Sequence, residues 1–230
     1  MKKISLGVEM QRETKTHEIT VDVVIFTIQN GTLKVLLVQR SKEPFINKWA
    51  IPGGFVRLSE NLDEAAKRLL YEKSNLKDVY LEQIYTFGDP LRYPNSRVIT
   101  VAYFALIRSE NLVLKFDKST DNIKDVSWHS VYNLPALAFD HKTIIEYASK
   151  RLRDDLEHHA TAFQLLPPKF TLTDLQRAYE IILHTTLDKR NFRKKILSMN
   201  ILTELDEYSK SSSKRPAKLY SFNAQSAEQQ

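Results

Sequence analysis

The chain has 230 residues, of which 42% are hydrophobic, 10% aromatic and 27% charged. That is enough apolar material for a packed core, and it excludes disorder over most of the length. No Cys is present, which excludes disulfides, thiolate metal sites and cysteine nucleophiles together. The longest strongly apolar run, Val101 to Ile107, falls short of the roughly 18 residues that a membrane span needs. The apolar stretch behind Lys2 and Lys3 stops at Val8, too early for a secretory leader. The expectation is a soluble cytoplasmic protein.

The net charge of +6 is strongly localised. Between Lys189 and Lys218 nine Lys/Arg face three acids, Glu204, Asp206 and Glu207, while the remaining chain holds 25 basic and 25 acidic residues. One thirty-residue window therefore carries the whole excess, as a polyanion-binding surface would.

In chain order, residues 18–29 (EITVDVVIFTIQ) read as a strand, Asn30-Gly31 as a hairpin turn and residues 32–40 as its return. Residues 49–54 (WAIPGG) read as a short strand ending in a glycine pair. A helix is expected over 61–74, where Leu62, Ala65, Ala66, Leu69 and Leu70 follow one face. Strands at 80–87, 97–107 and 126–131 precede a helix over 139–158, with Ile144, Ile145, Tyr147 and Ala148 inward. This mixture predicts an α+β or α/β/α sandwich over residues 1–150. Residues 151–168 form the end of a linking helix, and Pro167-Pro168 mark a domain boundary.

Beyond the boundary, helices over 172–183 and 188–200 are capped by Thr171 or Thr173 and by Asp188, with only residues 184–187 between them. That is the layout of a helix-turn-helix. Strands at 201–208 and 217–222 flank the basic segment KSSSKRP as a wing. The expected units are a winged helix-turn-helix domain over 169–222 and a disordered tail over 223–230.

Residues 53–76, GGFVRLSENLDEAAKRLLYEKSNL, resemble the Nudix box, with Gly54, Glu60, Arg68, Leu70, Glu72 and Leu76 at the family's spacing. The resemblance implies a Nudix-like α/β/α sandwich. In that family three carboxylates on the helix hold Mg²⁺, at positions corresponding to 69, 72 and 73. Here they are Leu69, Glu72 and Lys73, and hard cations need several oxygen ligands together. The expectation is therefore no catalytic residue, no metal and no cofactor. The alternative is that Leu69 is a core residue and Glu60 or Glu64 supplies the metal. A cleft is still expected. Gly53 and Gly54 let backbone approach a ligand. Arg40, Arg57, Arg68, Arg92 and Arg97 can pair with phosphates, and Trp49, Phe55 or Tyr93 can stack on a base or sugar. Glu72 completes the effector-site candidates, with Arg68 alternatively serving only to tether Glu72 or the glycine loop.

In the C-terminal unit the second helix is the reading element. Phe192, Ile196, Leu197 and Met199 are expected to be buried, leaving Lys189, Arg190, Asn191, Arg193 and Lys194 for DNA. Lys214, Arg215 and Lys218 on the wing suit phosphates. The competing reading is a basic helical hairpin for protein docking. A Nudix-like domain followed by LPALAFDHKTII, FTLTDLQRAYE and LDKRNFRKKIL resembles the Nudix-related transcriptional regulators of the NrtR type. That resemblance implies a homodimeric repressor. Its inactive Nudix-like domain would sense ADP-ribose or a related NAD-cycle metabolite, and its winged domain would bind a palindromic operator in double-stranded DNA. Two alternatives stay open: a pentose sensor like the AraR branch, and an active Mg-dependent diphosphatase with a basic appendage.

Overall fold

The computed structural model describes residues 17–74, 79–108, 123–158, 160–209 and 216–223. The first strand, β1 (Glu18–Gln29), is central because seven successive residues, 21–27, are buried. Asn30 and Gly31 both take positive φ, 52° and 69°, the conformation a tight two-residue hairpin demands. The turn returns the chain as β2 (Thr32–Arg40), in register Gln29 to Thr32. The segment expected as one strand at 49–54 is two. β3 (Trp49–Ala50) pairs with β2, and β4 (Gly53–Phe55) pairs with β1. Pro52 has no N–H for a ladder, and its carbonyl instead accepts from Val23 N at 2.8 Å.

Helix α1 (Leu62–Ser74) then crosses one face of the sheet, followed by β5 (Tyr80–Phe87), β6 (Val98–Leu106) and β7 (Ile123–Ser130). The strand order is β3-β2-β1-β6-β5, with β4 on β1, β7 on β2, and only the β1–β6 pair parallel among the described strands. The two-residue period of β1 and β6 feeds two cores. Val21, Val23, Ile25, Val101, Tyr103 and Ala105 pack with Ala65, Ala66, Leu69 and Leu70 of α1. Val24, Phe26, Ala102, Phe104 and Leu106 pack with Ile144, Ile145, Ala148 and Leu152 of α2 (His141–His158) on the other face. A one-residue slip of β1 would exchange these sets, so burial on both faces fixes the register. Helix α2 begins two residues later than the sequence suggests. Phe139, at φ 51°, is left-handed and cannot be the first turn of a helix.

A 3₁₀ turn (Ala160–Leu165) leads to α3 (Leu172–Leu183), α4 (Lys189–Ser198) and the antiparallel pair β8 (Leu202–Tyr208) and β9 (Lys218–Phe222). Of the two caps weighed for α3, Thr171 is the one. Its hydroxyl accepts from Asp174 N at 3.1 Å, while the Asp174 carboxylate accepts from Thr171 N at 3.0 Å. The core does not stop at Pro167-Pro168. Phe163, Phe170, Leu175, Ile182, Phe192 and Ile196 join the α2-side cluster of the sheet, so both halves share one apolar interior. Leu197, expected in the buried stripe of α4, is 46% exposed, because Phe192 and Ile196 already fill the face towards α3. No helix of the described residues is long and apolar enough to cross a membrane. Lys214, Arg215, residues 75 and 76 of the box, the tail beyond residue 223 and the Lys73 side chain lie outside the described residues.

Candidate ligand cavity and nucleic-acid interface

A cavity of about 360 Å³ opens where β1, the end of β2, β4 and the segment entering α2 meet. Arg40, Gly53, Gly54, Phe55 and Arg92 line it, together with Asp22, Tyr93, Phe139 and His141. Its floor is a buried ionic cluster. Arg92 donates to both carboxylate oxygens of Asp140 at 2.9 and 2.8 Å and stands 3.6 Å from Asp22. Asp22 also accepts from the Thr100 hydroxyl at 2.8 Å. Buried ions persist only when paired in this way. His141 accepts from Ile51 N on Nδ1 at 2.9 Å, so the neutral ring carries its proton on Nε2. Burial lowers its pKa and keeps the ring uncharged.

The cavity mouth is cationic and aromatic. Arg40 lies 5.0 Å over the Phe139 ring, and its Nε donates to Pro44 O at 2.7 Å. Burial lowers the Arg40 pKa against the opposing pull of Tyr93 and Glu43, and among the described residues no carboxylate comes within ion-pair distance of it. Phe139 stacks on Tyr93, with centroids 5.2 Å apart and planes at 10°, and meets Phe45 edge-on at 4.8 Å. A half-buried guanidinium beside ring faces suits a ligand carrying both an anion and a flat heterocycle.

The Nudix-box loop is braced internally. Arg68 Nε donates to Glu60 at 2.7 Å, its Nη2 donates to Phe55 O at 3.1 Å, and its Nη1 reaches Glu72 at 3.3 Å. Arg57 adds a 3.3 Å contact to Glu72, and its N–H donates to Glu60 at 2.9 Å. The Arg68 guanidinium holds the Glu60 carboxyl down at about 2. Leu69 is only 3% exposed, in the α1-side core. A β-carbon on Gly54 would come within 2.8 Å of its Cδ2. The divalent cation of the Nudix box does not fit these residues. One ligand position is aliphatic, the acids Glu60 and Glu72 are taken by arginines, and no group of three or more Asp, Glu or His among the described residues could hold a metal.

The ten effector-site candidates thus divide. Arg40, Gly53, Gly54, Phe55 and Arg92 line the cavity, whereas Arg57, Arg68 and Glu72 belong to the brace behind it. Trp49 does not line the cavity; it packs against the α2-side core, edge-on to His129 at 4.4 Å. Arg97 is held at the start of β6, where its carbonyl accepts from Glu18 N at 3.0 Å. Asp22, Phe139, Asp140 and His141 were not singled out as site residues. The available signals were a lone acid inside an apolar strand and the FDH run that leads into α2.

In the C-terminal unit, His184 at φ 53° ends α3, and the turn is fastened from within that helix. Gln176 Nε2 donates to Leu187 O at 3.0 Å, and Leu187 N donates to Glu180 Oε1 at 2.9 Å. Asp188 then caps α4 by accepting from Asn191 N at 2.8 Å. Lys189, Arg190, Asn191 and Lys194 are exposed, and none is in an ion pair among the described residues. Arg193 is different: its Nε is buried, and its charge acts on Tyr220 of β9. Lys218 is in a 2.7 Å ion pair with Glu204.

Residues 16–148 match the NUDIX domain family, and residues 162–222 match the NrtR DNA-binding winged helix domain. The chain is 40% identical over 208 residues to the ADPR responsive transcriptional repressor NtrR of Acinetobacter baylyi, a match spanning 90% of this chain and 82% of that one. The chain belongs to the NrtR family. Its fold follows that of the Shewanella oneidensis NrtR in complex with a 27mer DNA, with TM-score 0.79 and 33% identity over 91% of this chain and 95% of that one. The Nudix domain of the same NrtR, complexed with ADP ribose, is 38% identical and superposes at TM-score 0.52 over 60% of this chain and 90% of that domain. NrtR membership accounts for both halves: a Nudix sandwich with an open cavity, and a basic winged helix on a shared core.

Proposed function

We propose that this protein is an ADP-ribose-responsive transcriptional repressor. Its winged helix domain binds a palindromic operator as part of a two-fold homodimer. ADP-ribose occupies the cavity of the Nudix-like domain and releases the DNA. The observation that carries this reading is Arg40, a half-buried cation in no close ion pair among the described residues, with only the Glu43 carboxylate acting on its charge across the cavity, set over Phe139 beside Gly53 and Gly54. The diphosphate of ADP-ribose supplies an anion in direct contact with Arg40, and Phe139 and Tyr93 offer ring faces to its adenine. The same domain does not hydrolyse its ligand. In-line attack on a diphosphate requires a bound divalent cation, and Leu69 with Arg-paired Glu60 and Glu72 offers no cluster to hold one.

Arg190, Lys189, Asn191 and Lys194 on α4 enter the major groove, and the wing with Lys214, Arg215 and Lys218 tracks phosphates. The test uses the full chain and a duplex selected by the protein from a random-sequence pool. ADP-ribose is expected to raise the thermal midpoint and weaken duplex binding, with no AMP released in Mg²⁺ or Mn²⁺. Arg40→Ala should reduce the thermal shift severalfold. Metal-dependent AMP release would overturn the inactive reading, and an unchanged duplex affinity would overturn the repressor reading.

A further inference from the structure

Between β7 and α2 the chain runs as an irregular strap, residues 131–140, and its two ends touch the two functional halves. At its start, Tyr132 reaches the helix-turn-helix. Its hydroxyl donates to Ile181 O at 2.7 Å, and its ring stacks on His184 with centroids 4.1 Å apart. These acceptors are open for a definite reason. The left-handed cap at His184 sends both its own N–H and that of Thr185 to Glu180 O, so Ile181 O loses the donor that a continuing helix would provide. A tyrosine of the Nudix-like half fills the vacancy at the turn that leads into α4.

At the strap's other end stand cavity residues. Phe139 stacks on Tyr93 under Arg40, Asp140 clamps Arg92, and His141 accepts from Ile51 N. Phe139 holds φ 51°, a conformation that a side-chain-bearing residue keeps only while its neighbours enforce it. Midway, Trp49 backbone grips the strap on both sides, accepting from Ala138 N at 2.8 Å and donating to Ala136 O at 3.2 Å. Behind the strap lies a hollow of about 760 Å³, walled by Leu134, Leu137, Ile145 and Ser149. The strap therefore borders open space, carries the Trp49 backbone with it near the cavity, and reaches the reading domain through the Tyr132 hydroxyl.

We propose that Tyr132 is the positioning residue through which cavity occupancy reaches the DNA-reading turn. A ligand that displaces Phe139 from its contacts with Tyr93 and Arg40 moves the strap. The strap then withdraws or re-aims the Tyr132 hydroxyl from the end of α3, and α4 turns with α3. This rests on the proposed function, since it needs ADP-ribose in the cavity and DNA on α4. Tyr132 touches neither ligand, so its removal should uncouple the two sites without removing either.

The experiment compares the full-length protein with Tyr132→Phe, Tyr132→Ala and His184→Ala. The readouts are ADP-ribose thermal shift, affinity for the selected duplex, and the factor by which saturating ADP-ribose weakens that affinity. The thermal shift should survive in all three, and ligand-free duplex affinity should stay within about threefold of the parent in the two Tyr132 variants. The weakening factor should fall by roughly five- to tenfold in Tyr132→Ala, as loss of a hydrogen bond and a ring contact would give. Tyr132→Phe, which keeps the stack and loses the hydroxyl, should fall between, and His184→Ala should resemble it. An unchanged weakening factor in both Tyr132 variants overturns this inference alone. A parent protein whose duplex affinity ignores ADP-ribose overturns the proposed function and this inference with it.

Discussion

Gly53 cannot carry a side chain without moving the cavity floor. A β-carbon there would lie 2.1 Å from Asp22 Oδ1 and 2.8 Å from Val21 O, and the second of these is backbone in a central strand. Gly53→Ala should therefore cost about 1–3 kcal/mol, in the range of overpacked cores. Differential scanning calorimetry would register it as a fall of several degrees in the thermal midpoint. At the box loop, Glu60 makes the opposite kind of contribution, through charge. Folding takes its carboxyl from the ordinary 4.5 down to about 2, because Arg68 bonds to it. Between those values the native state binds fewer protons than the unfolded chain. The stabilisation is complete above about 4.5 and is lost as pH falls towards 2. In thermal melts from pH 7 to pH 2, Glu60→Gln should be less stable than the parent at neutral pH. The gap should close on the acid limb, and a constant gap would refute the assignment.

Helix α4 shows how an element divides its labour. Phe192 and Ile196 anchor it, Asp188 caps its start, and Lys189, Arg190, Asn191 and Lys194 stay exposed. Arg193 faces β9, so it is a poor choice for a clean test of DNA reading. Arg190→Ala with Lys194→Ala is the sharper pair. It should abolish specific duplex binding while leaving the ADP-ribose thermal shift intact. For the residual non-specific binding, the slope of log affinity against log salt should also fall by about one to two units, since about 0.9 counterion is released per phosphate contacted. Electrophoretic mobility shifts at several salt concentrations check both claims, and retained affinity would remove α4 as the reader. Helix α1 teaches the converse lesson. Its family spacing places position 69 against the sheet, where leucine packs under Gly54, and the element keeps its shape without its metal ligands.

At the scale of the molecule, one winged helix makes few base contacts, and a palindromic site calls for two. A candidate contact for the second copy lies on the Nudix-like half. Tyr85 and Phe87 of the edge strand β5 form a ring cluster with Tyr147 of α2, at centroid distances of 4.8 to 5.8 Å. Tyr85 is 50% exposed. Edge strands with exposed apolar rings invite pairing unless something covers them. On the proposed homodimer reading, Tyr85→Lys should give a monomer in light scattering and weaken binding to a palindromic duplex more than to a single half-site. A dimer that survives the substitution would put the contact elsewhere. The shared core between the halves matters at this scale too. Because Phe163, Phe170 and Ile182 pack into the same cluster as Phe26 and Ile144, the reading domain is not a bead on a string, and a shift on the sandwich side has a packed route to follow.

The order and type of nearly every described element were legible in the sequence. The two-residue period of β1, the Asn30-Gly31 turn, the 3, 4 spacing of α1 and the capping residues of α3 and α4 act through neighbours in the chain. So were the loss of the box carboxylates and the placement of the positive charge, which are facts of composition and spacing. Only tertiary structure decided which arginines face the cavity. Arg40 and Arg92 line it, whereas Arg57 and Arg68 are turned to Glu60 and Glu72, and no periodicity separates guanidinium groups by the partners they find. The same holds for Asp22, Thr100, Asp140 and His141, which are drawn from three stretches of the chain up to 119 residues apart. They become one buried network because β1 pairs with β6 and α2 begins beneath the cavity. Tyr132 and His184 are the plainest case. Each reads locally as an ordinary surface residue, and they stack only because the strap and the end of α3 share a single core.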